Sequence, residues 1–525
     1  MDPTDTPLPA ALELPPLEAP IAHELPVADA AGSPEDKPKR TPRALHRNTS
    51  PFRALIVVMT GFVGLFLVMR TIAVEPFGVP TGSMAPALSG HHRDGFCPRC
   101  GYVVRVGRPT TGSVTEHFKK VTCPNCDNGL SLVEANDLGG DRLLVDKNIY
   151  DLRTPRRWEM VVFRCPNTNE EFGKPYVKRL VGLPGETITI VDGDVYVNGE
   201  IARKGIAEVR ETVMPIFDMN FTPHSSGWNP RWLVEVGGDP RLPVGAGPTS
   251  AGSPAIESNS LVLDASDTPQ STTAVRYRNW HLDDRKEYPV RVWNSYDGTS
   301  RRNDMPAAHD FYLTCEVEVT AAVGAVGEAC FDCRLSDGAD TVTAEITVGL
   351  RKTGRAQLIR ENHGGLGSAN GVALEPGRRY KLEFAFVDRR AIISIDGRVV
   401  LPPADLEPAT RREPVSRPLR LGSRGCRVVV RDLKLFRDIH YTAEANDYHA
   451  TRHPAVLGAR QYFVLGDNSG NSEDSRKWPN PAVPESSFIG KPFLIHQPLR
   501  LGRVSVGGRE RVFQSLDWSR LRWLH

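Results

Sequence analysis

The chain has 525 residues, and its 65 lysines and arginines against 63 aspartates and glutamates give a formal net charge of +2. That length is enough for two or three domains, and the near-neutral charge gives no basic footprint of the kind that nucleic-acid binding requires. The 43 prolines and 46 glycines indicate a protein of strands and loops rather than a helical one. Nine cysteines is an odd number, so a disulfide framework cannot use them all.

The N-terminal 74 residues contain a tail and one apolar run. Residues 1–49 are rich in proline and acidic residues and turn basic near their end, a composition that predicts a disordered tail. Within residues 50–74, the run Ala54–Val74 is long enough to span about 30 Å as a helix, which is the thickness of a bilayer core. The basic residues before it predict a cytoplasmic N-terminus and an extracytoplasmic remainder. A cleaved signal peptide is the alternative; an anchor is favoured because Ser83, a candidate nucleophile, follows so closely.

Three stretches carry the candidate chemistry. PTGSMAP at 80–86 presents Ser83 from a turn, because prolines on both sides keep the flanking backbone out of a helix. In YVKRLVGLPG at 176–185, Lys178 lies on a predicted strand between apolar neighbours. Such a lysine is either a snorkelling edge residue or a desolvated amine that can act as a base. A third stretch, GDNSGNSEDSR at 466–476, is a polar loop after an apolar strand. A serine in a turn followed by a lysine on a strand is typical of a Ser–Lys dyad.

Four cysteines form a separate pattern of two C-x-x-C pairs separated by 22 residues. This spacing is typical of a zinc ribbon, in which two tight turns point four sulfurs at one ion. A pair of disulfides is the alternative, and an extracytoplasmic location would favour it. A zinc ion held in this way would be structural, with no open position for chemistry. The four residues are Cys97, Cys100, Cys123 and Cys126.

From Gly140 onward the sequence changes to short apolar or alternating runs that predict strands, with Asn198-Gly199 as a hairpin turn. Residues 206 to about 445 differ again, with a polar, Pro/Gly-rich section to Pro289 and then alternating strands at spacings of roughly ten residues. This pattern indicates an inserted β-sandwich. In strand pattern alone it is similar to the concanavalin-like and laminin-G-like sandwiches. We expect it to be self-contained, at the rim of the core, and to contribute no catalytic group.

Taken together, the motifs at 80–86, 140–147, 176–185 and 466–476 resemble the type I signal peptidases, the membrane-anchored serine peptidases that remove signal peptides from exported proteins. The likeness covers residues 50–96, 137–200 and 460–500 and leaves out the tail, the cysteines and the sandwich. It implies Ser83 as nucleophile and Lys178 as general base, with no cofactor for catalysis. It also implies that the Thr81 hydroxyl and the Ser83 backbone N–H stabilise the oxyanion.

The resemblance implies further that Ser472 holds the Lys178 amine and that Asp474 and Arg476 pair to brace the loop. The implied partners are the signal peptides of preproteins, bound as extended strands beside membrane lipid, with no nucleic acid. The implied location is the inner (plasma) membrane, crossed once.

Two other functions fit parts of the sequence. Self-cleaving repressors use the same dyad on a similar fold, but they carry no membrane span, and Ala54–Val74 counts against them. A non-catalytic envelope protein whose sandwich binds glycan is the second, and the intact Ser83, Lys178 and Ser472 count against it.

The predicted fold class is mainly β, with a signal-peptidase-type β core, one N-terminal transmembrane helix, a small zinc-ribbon-like insertion and an inserted β-sandwich. The predicted segments are a cytoplasmic tail at 1–49, an anchor at 50–74, the first part of the core at 75–205 with the cysteine insertion at 97–126, the sandwich at 206–445, and the second part of the core with the C-terminal segment at 446–525.

Overall fold

The computed structural model describes residues 51–109, 112–166, 171–223, 231–236, 239–243, 255–257, 259–281, 285–298, 302–323, 328–444, 447–506 and 509–524. The tail predicted at 1–49 lies outside the described residues. The described chain is mainly β, as the sequence predicts.

The first described element is a helix of 22 residues, Pro51–Ile72. At 1.5 Å per residue it is about 33 Å long. Among the described helices it is the one that is long and apolar enough to cross a membrane. The helix ends before Val74, which the sequence places in the apolar run but which begins the first strand.

An eight-stranded sheet carries the predicted motifs. Antiparallel pairing places Val161 opposite Lys178, and the last residue of the Gln461–Leu465 strand, Leu465, opposite Arg179. The loop that follows Leu465 therefore begins beside Lys178. Across the sheet the strands are Val74–Gly78, Arg142–Asp146, Phe488–Ile495, Met160–Arg164, Pro175–Gly182, Gln461–Leu465 and Val483–Pro484, with Arg522–Trp523 paired to Phe488–Ile495.

Smaller elements complete this part of the chain. The predicted hairpin turn is present, because Asn198 and Gly199 both have positive φ and join the strands Asp194–Val197 and Glu200–Ile201. These strands extend into a four-stranded sheet with Thr187–Val191 and Ala455–Val456. The remaining small sheets are Val103–Gly107 with His92–Phe96 and Asp137–Leu138, Val121–Thr122 with Gly129–Leu130, Trp280–His281 with Lys286–Glu287, and Leu499–Val506 with Arg509–Leu516.

Short helices occupy several of the connections. The α-helices after the first are Val114–Lys119, Ile149–Leu152 and Ile206–Thr212. The 3-10 turns are Met219–Phe221, Ser295–Asp297, Arg302–Asp304, Arg351–Thr353, Ser469–Asn471 and Glu485–Ser487.

Two large antiparallel sheets enclose the largest apolar core of the described chain. One has the order Ala255–Glu257, Ser260–Asp264, Cys426–Asp438, Phe311–Ala322, Arg379–Val387, Arg390–Ile395 and Arg398–Val399, with Val213–Asp218 and Ala404–Asp405 paired at its sides. The other has the order Asp239–Pro243, Trp232–Val236, Thr272–Tyr277, Leu419–Arg424, Cys330–Ser336, Thr341–Thr347, Arg355–Arg360 and Gly364–Asn370.

Alternation along the strands explains this sandwich. In Thr341–Thr347 every second side chain is buried, and Cys330–Ser336 shows the same period. A strand with one buried face needs a second sheet to cover it. The polar section before Pro289 adds strands that its sequence pattern does not predict. Val213–Asp218 pairs with Cys426–Asp438, and Thr272–Tyr277 pairs with Leu419–Arg424.

A buried cluster of charges lies where the chain passes from the four-stranded sheet into the sandwich. Lys204 Nζ contacts carboxylate oxygens of Asp388 at 3.0 Å and of Asp438 at 2.8 Å, and all three side chains are buried. Burial by itself lowers the pKa of Lys204, but the two carboxylates outweigh it and raise the pKa above its ordinary value. The ammonium therefore stays charged and holds both strand ends.

Candidate active site

Ser83 lies in the serine turn (residues 80–88), which follows the first strand of the eight-stranded sheet. The Ala85 N–H donates to Gly82 O at 3.0 Å and the Leu88 N–H donates to Met84 O at 2.9 Å, which closes the backbone around the serine. Met84 and Leu88 are fully buried in the core beneath, whereas Ser83 is half-buried. The apolar residues anchor the turn while the hydroxyl stays accessible.

Lys178 lies on a central strand of the same sheet and is 3% exposed. Its Nζ donates to Ser472 Oγ at 3.1 Å. Burial lowers the pKa of the amine from its ordinary 10.5 to about 8; Arg476 lowers it further, and Asp474 opposes both effects. A useful fraction of such an amine is neutral near neutral pH, which is the state that a general base requires.

The closing loop (Gly466–Arg476) brings Ser472 to this amine. A Cβ on Gly466 would lie 2.2 Å from Ser472 Oγ and 2.6 Å from Ser83 O, so only glycine fits between them. The Asn468 N–H donates to Ser83 O at 3.0 Å. The closing loop is therefore in direct contact with both the serine turn and the partner of Lys178.

A buried ion pair between Asp474 and Arg476 stabilises the closing loop. Arg476 donates to Asp474 through Nε at 2.9 Å and through Nη2 at 2.8 Å, and both side chains are fully buried. Asp474 Oδ2 also accepts from the Gly466 N–H at 3.0 Å. Burial raises the pKa of Asp474, but Arg476 outweighs it and leaves the pKa below its usual range. The carboxylate stays ionised and fixes the start of the loop.

One cleft of about 760 Å³ brings the predicted residues together. The Thr81 hydroxyl donates to Ser83 Oγ at 3.5 Å in its wall. Apolar side chains line the same cleft, as a site that binds an extended peptide requires. The predicted residues in its lining are Thr81, Ser83, Lys178 and Ser472, and the apolar ones include Phe77, Val79, Leu143 and Val162.

A second buried ion pair, between Arg179 and Asp467, was not predicted from the sequence. Arg179 donates to the two oxygens of Asp467 through Nε at 2.7 Å and Nη2 at 2.6 Å, and both side chains are almost fully buried. The pair links the lysine strand to the closing loop. Both residues of the pair lie in motifs that the sequence shows, because Arg179 follows Lys178 and Asp467 lies inside the GDN triplet at 466–468.

The four cysteines form a compact cluster in which all four sulfurs lie within 4.8 Å of one another. Cys97 Sγ is 3.5 Å from Cys126 Sγ, and Cys100 Sγ is 3.7 Å from Cys123 Sγ. These separations exceed the length of a disulfide bond, about 2 Å. The two turns also match, because the Gly101 and Asp127 N–H groups each donate to the first cysteine of their pair at 2.9 Å.

Comparison with known proteins finds one matching family. The family described as "Signal peptidase, peptidase S26" matches residues 131–221 and 390–496. That match contains the lysine strand and the closing loop, and the serine turn lies before it. A carbohydrate-binding module of Bacillus subtilis, CBM66, is 11% identical over 39% of this chain and 95% of the module, with a TM-score of 0.23.

Curated relatives point to the same family. A probable signal peptidase I-2 of Synechocystis is 41% identical over 63 residues, which are 12% of this chain and 29% of the relative. The signal peptidase I of Rickettsia typhi is 29% identical over 26% of this chain and 40% of the relative. That of Pseudomonas aeruginosa is 27% identical over 33% of this chain and 45% of the relative. The chain spans less than half the length of these relatives, and its matched residues are similar to the peptidase S26 family of signal peptidases.

Proposed function

We propose that this protein is a membrane-anchored serine endopeptidase that removes signal peptides from exported preproteins, with Ser83 as nucleophile and Lys178 as general base. The observation that carries the proposal is the buried Lys178 amine, hydrogen-bonded to Ser472 in the wall of the cleft that also contains Ser83. Serine is a poor nucleophile until a base takes its proton, and a lysine can do so only when it is neutral.

In the acylation step, neutral Lys178 Nζ removes the proton from Ser83 Oγ as that oxygen attacks the carbonyl carbon of the scissile bond. The carbonyl oxygen becomes an oxyanion, which the Ser83 N–H and the Thr81 hydroxyl stabilise; such donors are typically worth ~10²–10³ in rate. The Lys178 ammonium then gives its proton to the leaving amine as the peptide C–N bond breaks. The products of this step are the free mature chain and an acyl-enzyme on Ser83.

In the deacylation step, Lys178 takes a proton from water, whose oxygen attacks the ester carbon, and returns the proton to Ser83 Oγ when the ester bond breaks. Ser472 orients the amine in both steps, and Asp474 with Arg476 holds Ser472 in place. The substrate is an extended peptide beside the serine turn. The apolar lining of the cleft suits small apolar side chains before the cut.

The helix Pro51–Ile72 supplies the anchor in this proposal. The basic residues of the N-terminal tail favour a cytoplasmic N-terminus, and we infer that the cleft then faces the outside of the inner membrane. Membrane lipid is then the surface at which preproteins meet the enzyme. A self-cleaving repressor would not need this helix, and a glycan-binding envelope protein would not need a buried lysine in a cleft.

The proposal is tested by incubating the purified full chain, in detergent, with a preprotein and with a peptide that spans its cleavage site. We expect cleavage at the signal-peptide junction by the wild type and none by Ser83→Ala. Equal cleavage by both proteins would refute the proposal, as would the absence of cleavage by the wild type.

We propose in addition that Cys97, Cys100, Cys123 and Cys126 hold one structural zinc ion. Four sulfurs at ~2.3 Å from a tetrahedral zinc lie ~3.8 Å apart, close to the 3.5 and 3.7 Å between the sulfurs here. Elemental analysis should find one zinc per chain, lost in Cys123→Ser together with thermal stability. Cys315→Ser, which changes a buried cysteine of the sandwich, is the control that keeps the metal. Four cysteines oxidised to disulfides would exclude the site.

A further inference from the structure

One turn of the inserted sandwich reaches the candidate active site. The 3-10 turn Ser295–Asp297 and the residue before it lie against the serine turn. Asn294 Nδ2 donates to Ala85 O at 3.2 Å, and the Tyr296 hydroxyl donates to His91 O at 3.3 Å. The insertion therefore contacts the backbone that follows the serine.

Tyr296 also explains the glycine next to the nucleophile. The ring is 4% exposed and fills the space over Gly82 and Gly107. A Cβ on Gly82 would lie 2.3 Å from Tyr296 Cε1, and a Cβ on Gly107 would lie 2.1 Å from it. The serine turn thus has a shape that fits the insertion, and the contact is close-packed.

Asp297 is connected to the nucleophile by a short chain of hydrogen bonds. Its Oδ1 accepts from Asn468 Nδ2 at 2.7 Å and from Asn471 Nδ2 at 2.9 Å, both in the closing loop. The same Asn468 Nδ2 donates to Gly82 O at 3.1 Å, and the Asn468 N–H donates to Ser83 O at 3.0 Å. Asn468 thus holds two successive carbonyls, and Asp297 orients the Asn468 amide.

The peptide bond between Gly82 and Ser83 connects these hydrogen bonds to the proposed oxyanion donor. A peptide unit is planar and trans, so its C=O and its N–H point in opposite directions. Fixing the Gly82 carbonyl toward Asn468 therefore fixes the direction of the Ser83 N–H, which is an oxyanion donor in the proposed mechanism. An ionised acceptor also makes the hydrogen bonds to both asparagines stronger than neutral ones.

We propose that Asp297, contributed by the inserted sandwich, is a positioning residue of the peptidase: through Asn468 it orients the Gly82–Ser83 peptide and with it the oxyanion donor. The inference rests on the proposed function. Asp297 touches no reacting atom, so its effect should fall on the transition state and not on substrate binding.

The test compares the full chain in detergent with three variants on a peptide that spans a signal-peptide junction. Asp297→Ala should lower kcat about ten-fold to a hundred-fold, a fraction of the ~10²–10³ of a lost oxyanion donor, with KM within two-fold of the wild type. Asp297→Asn keeps an acceptor oxygen at the same place and should restore much of kcat. Asp396→Ala removes a carboxylate from a distant hairpin of the same insertion, where it accepts from Lys381 N, and should leave both constants unchanged.

A normal kcat for Asp297→Ala would overturn the inference, and so would a change in KM alone. Hydrogen exchange supplies a readout that does not depend on activity. In Asp297→Ala, peptides covering residues 82–85 and 466–472 should exchange faster than in the wild type, and in Asp396→Ala they should not. If the wild type fails to cleave, the proposed function is wrong. The exchange result still decides whether Asp297 holds the turn, and unchanged exchange refutes it.

Discussion

The pH dependence of cleavage is the sharpest consequence of the Lys178 environment. Burial lowers the pKa of this amine to about 8 from an ordinary 10.5, and the nearby Arg476 contributes in the same direction. At pH 7, about one amine in ten is then neutral, compared with about one in three thousand for an unperturbed lysine. The buried site thus increases the neutral fraction of the amine by about 300-fold, and if this amine is the base, kcat/KM should rise with pH to a midpoint near 8.

The assay measures kcat/KM for a soluble peptide from pH 6 to 10, with the full chain in detergent. Lys178→Arg and Lys178→Met are the matched controls, because arginine stays protonated and methionine has no proton to exchange. Both variants should be inactive at every pH. A flat profile between pH 6.5 and 9 with the wild type, or a midpoint above 10, would refute the role of a buried neutral amine.

The same pKa shift predicts a change in stability with a definite sign. The folded pKa lies below the unfolded one, so between pH 8 and 10.5 the unfolded state binds more protons and the free energy of unfolding rises with pH. The difference between the folded pKa of about 8 and the unfolded pKa of 10.5 corresponds to about 3 kcal/mol. The free energy of unfolding of the wild type should rise by this amount across that pH window, and that of Lys178→Met should not. Denaturation of both proteins at pH 7 and pH 10.5 measures the difference. Parallel behaviour of the two would contradict the burial argument.

Two further predictions concern the same machinery. Ser83→Ala and Lys178→Ala should each abolish peptide cleavage, and the double variant should be hardly slower than either single one, because the two residues act as a unit. The residual cleavage rates of the three variants measure this. If Lys178→Ala kept most of the activity, the role of Lys178 as general base would be contradicted. Gly466→Ala should lower kcat roughly 10²-fold by pushing Ser472 from its place, since a Cβ there would lie 2.2 Å from Ser472 Oγ. Gly129→Ala is the control, because a Cβ on Gly129 would have no atom within 4 Å. Equal cleavage rates for the two glycine variants would show that the contact between residue 466 and Ser472 does not affect catalysis.

The residues of the cleft could be predicted from the sequence because each lies in a short contiguous motif. Ser83 is flanked by prolines, Lys178 is flanked by apolar strand residues, and Ser472 lies in a loop after a strand. Patterns of this kind reflect turn chemistry and the alternation of a half-buried strand. Both signals can be read from residues that are close together in the sequence. The spatial meeting of Lys178 and Ser472 required the fold, since 294 residues separate them.

The strands before Pro289 could not be predicted in the same way. Leu261 pairs with Val430, and Val275 pairs with Leu421, so each strand is stabilised by a partner more than one hundred residues away. Strand propensity depends on such packing partners more than on the local sequence. Asp297 is a harder case, because nothing around it in the sequence points to Asn468 or Asn471, from which 171 and 174 residues separate it.

A residue of an inserted domain can position an active site only when the insertion is held rigidly, and the Lys204 cluster provides that restraint. Lys204 lies near the point where the chain enters the insertion, and Asp438 lies near the point where it returns. Removing one partner of a buried pair leaves an uncompensated charge and costs about 3–5 kcal/mol, so these crossing points are firmly joined. A loosely tethered sandwich could not keep Asp297 at 2.7 Å from Asn468. The sandwich is therefore positioned as a second wall of the serine turn, although the sequence suggested a self-contained body at the rim.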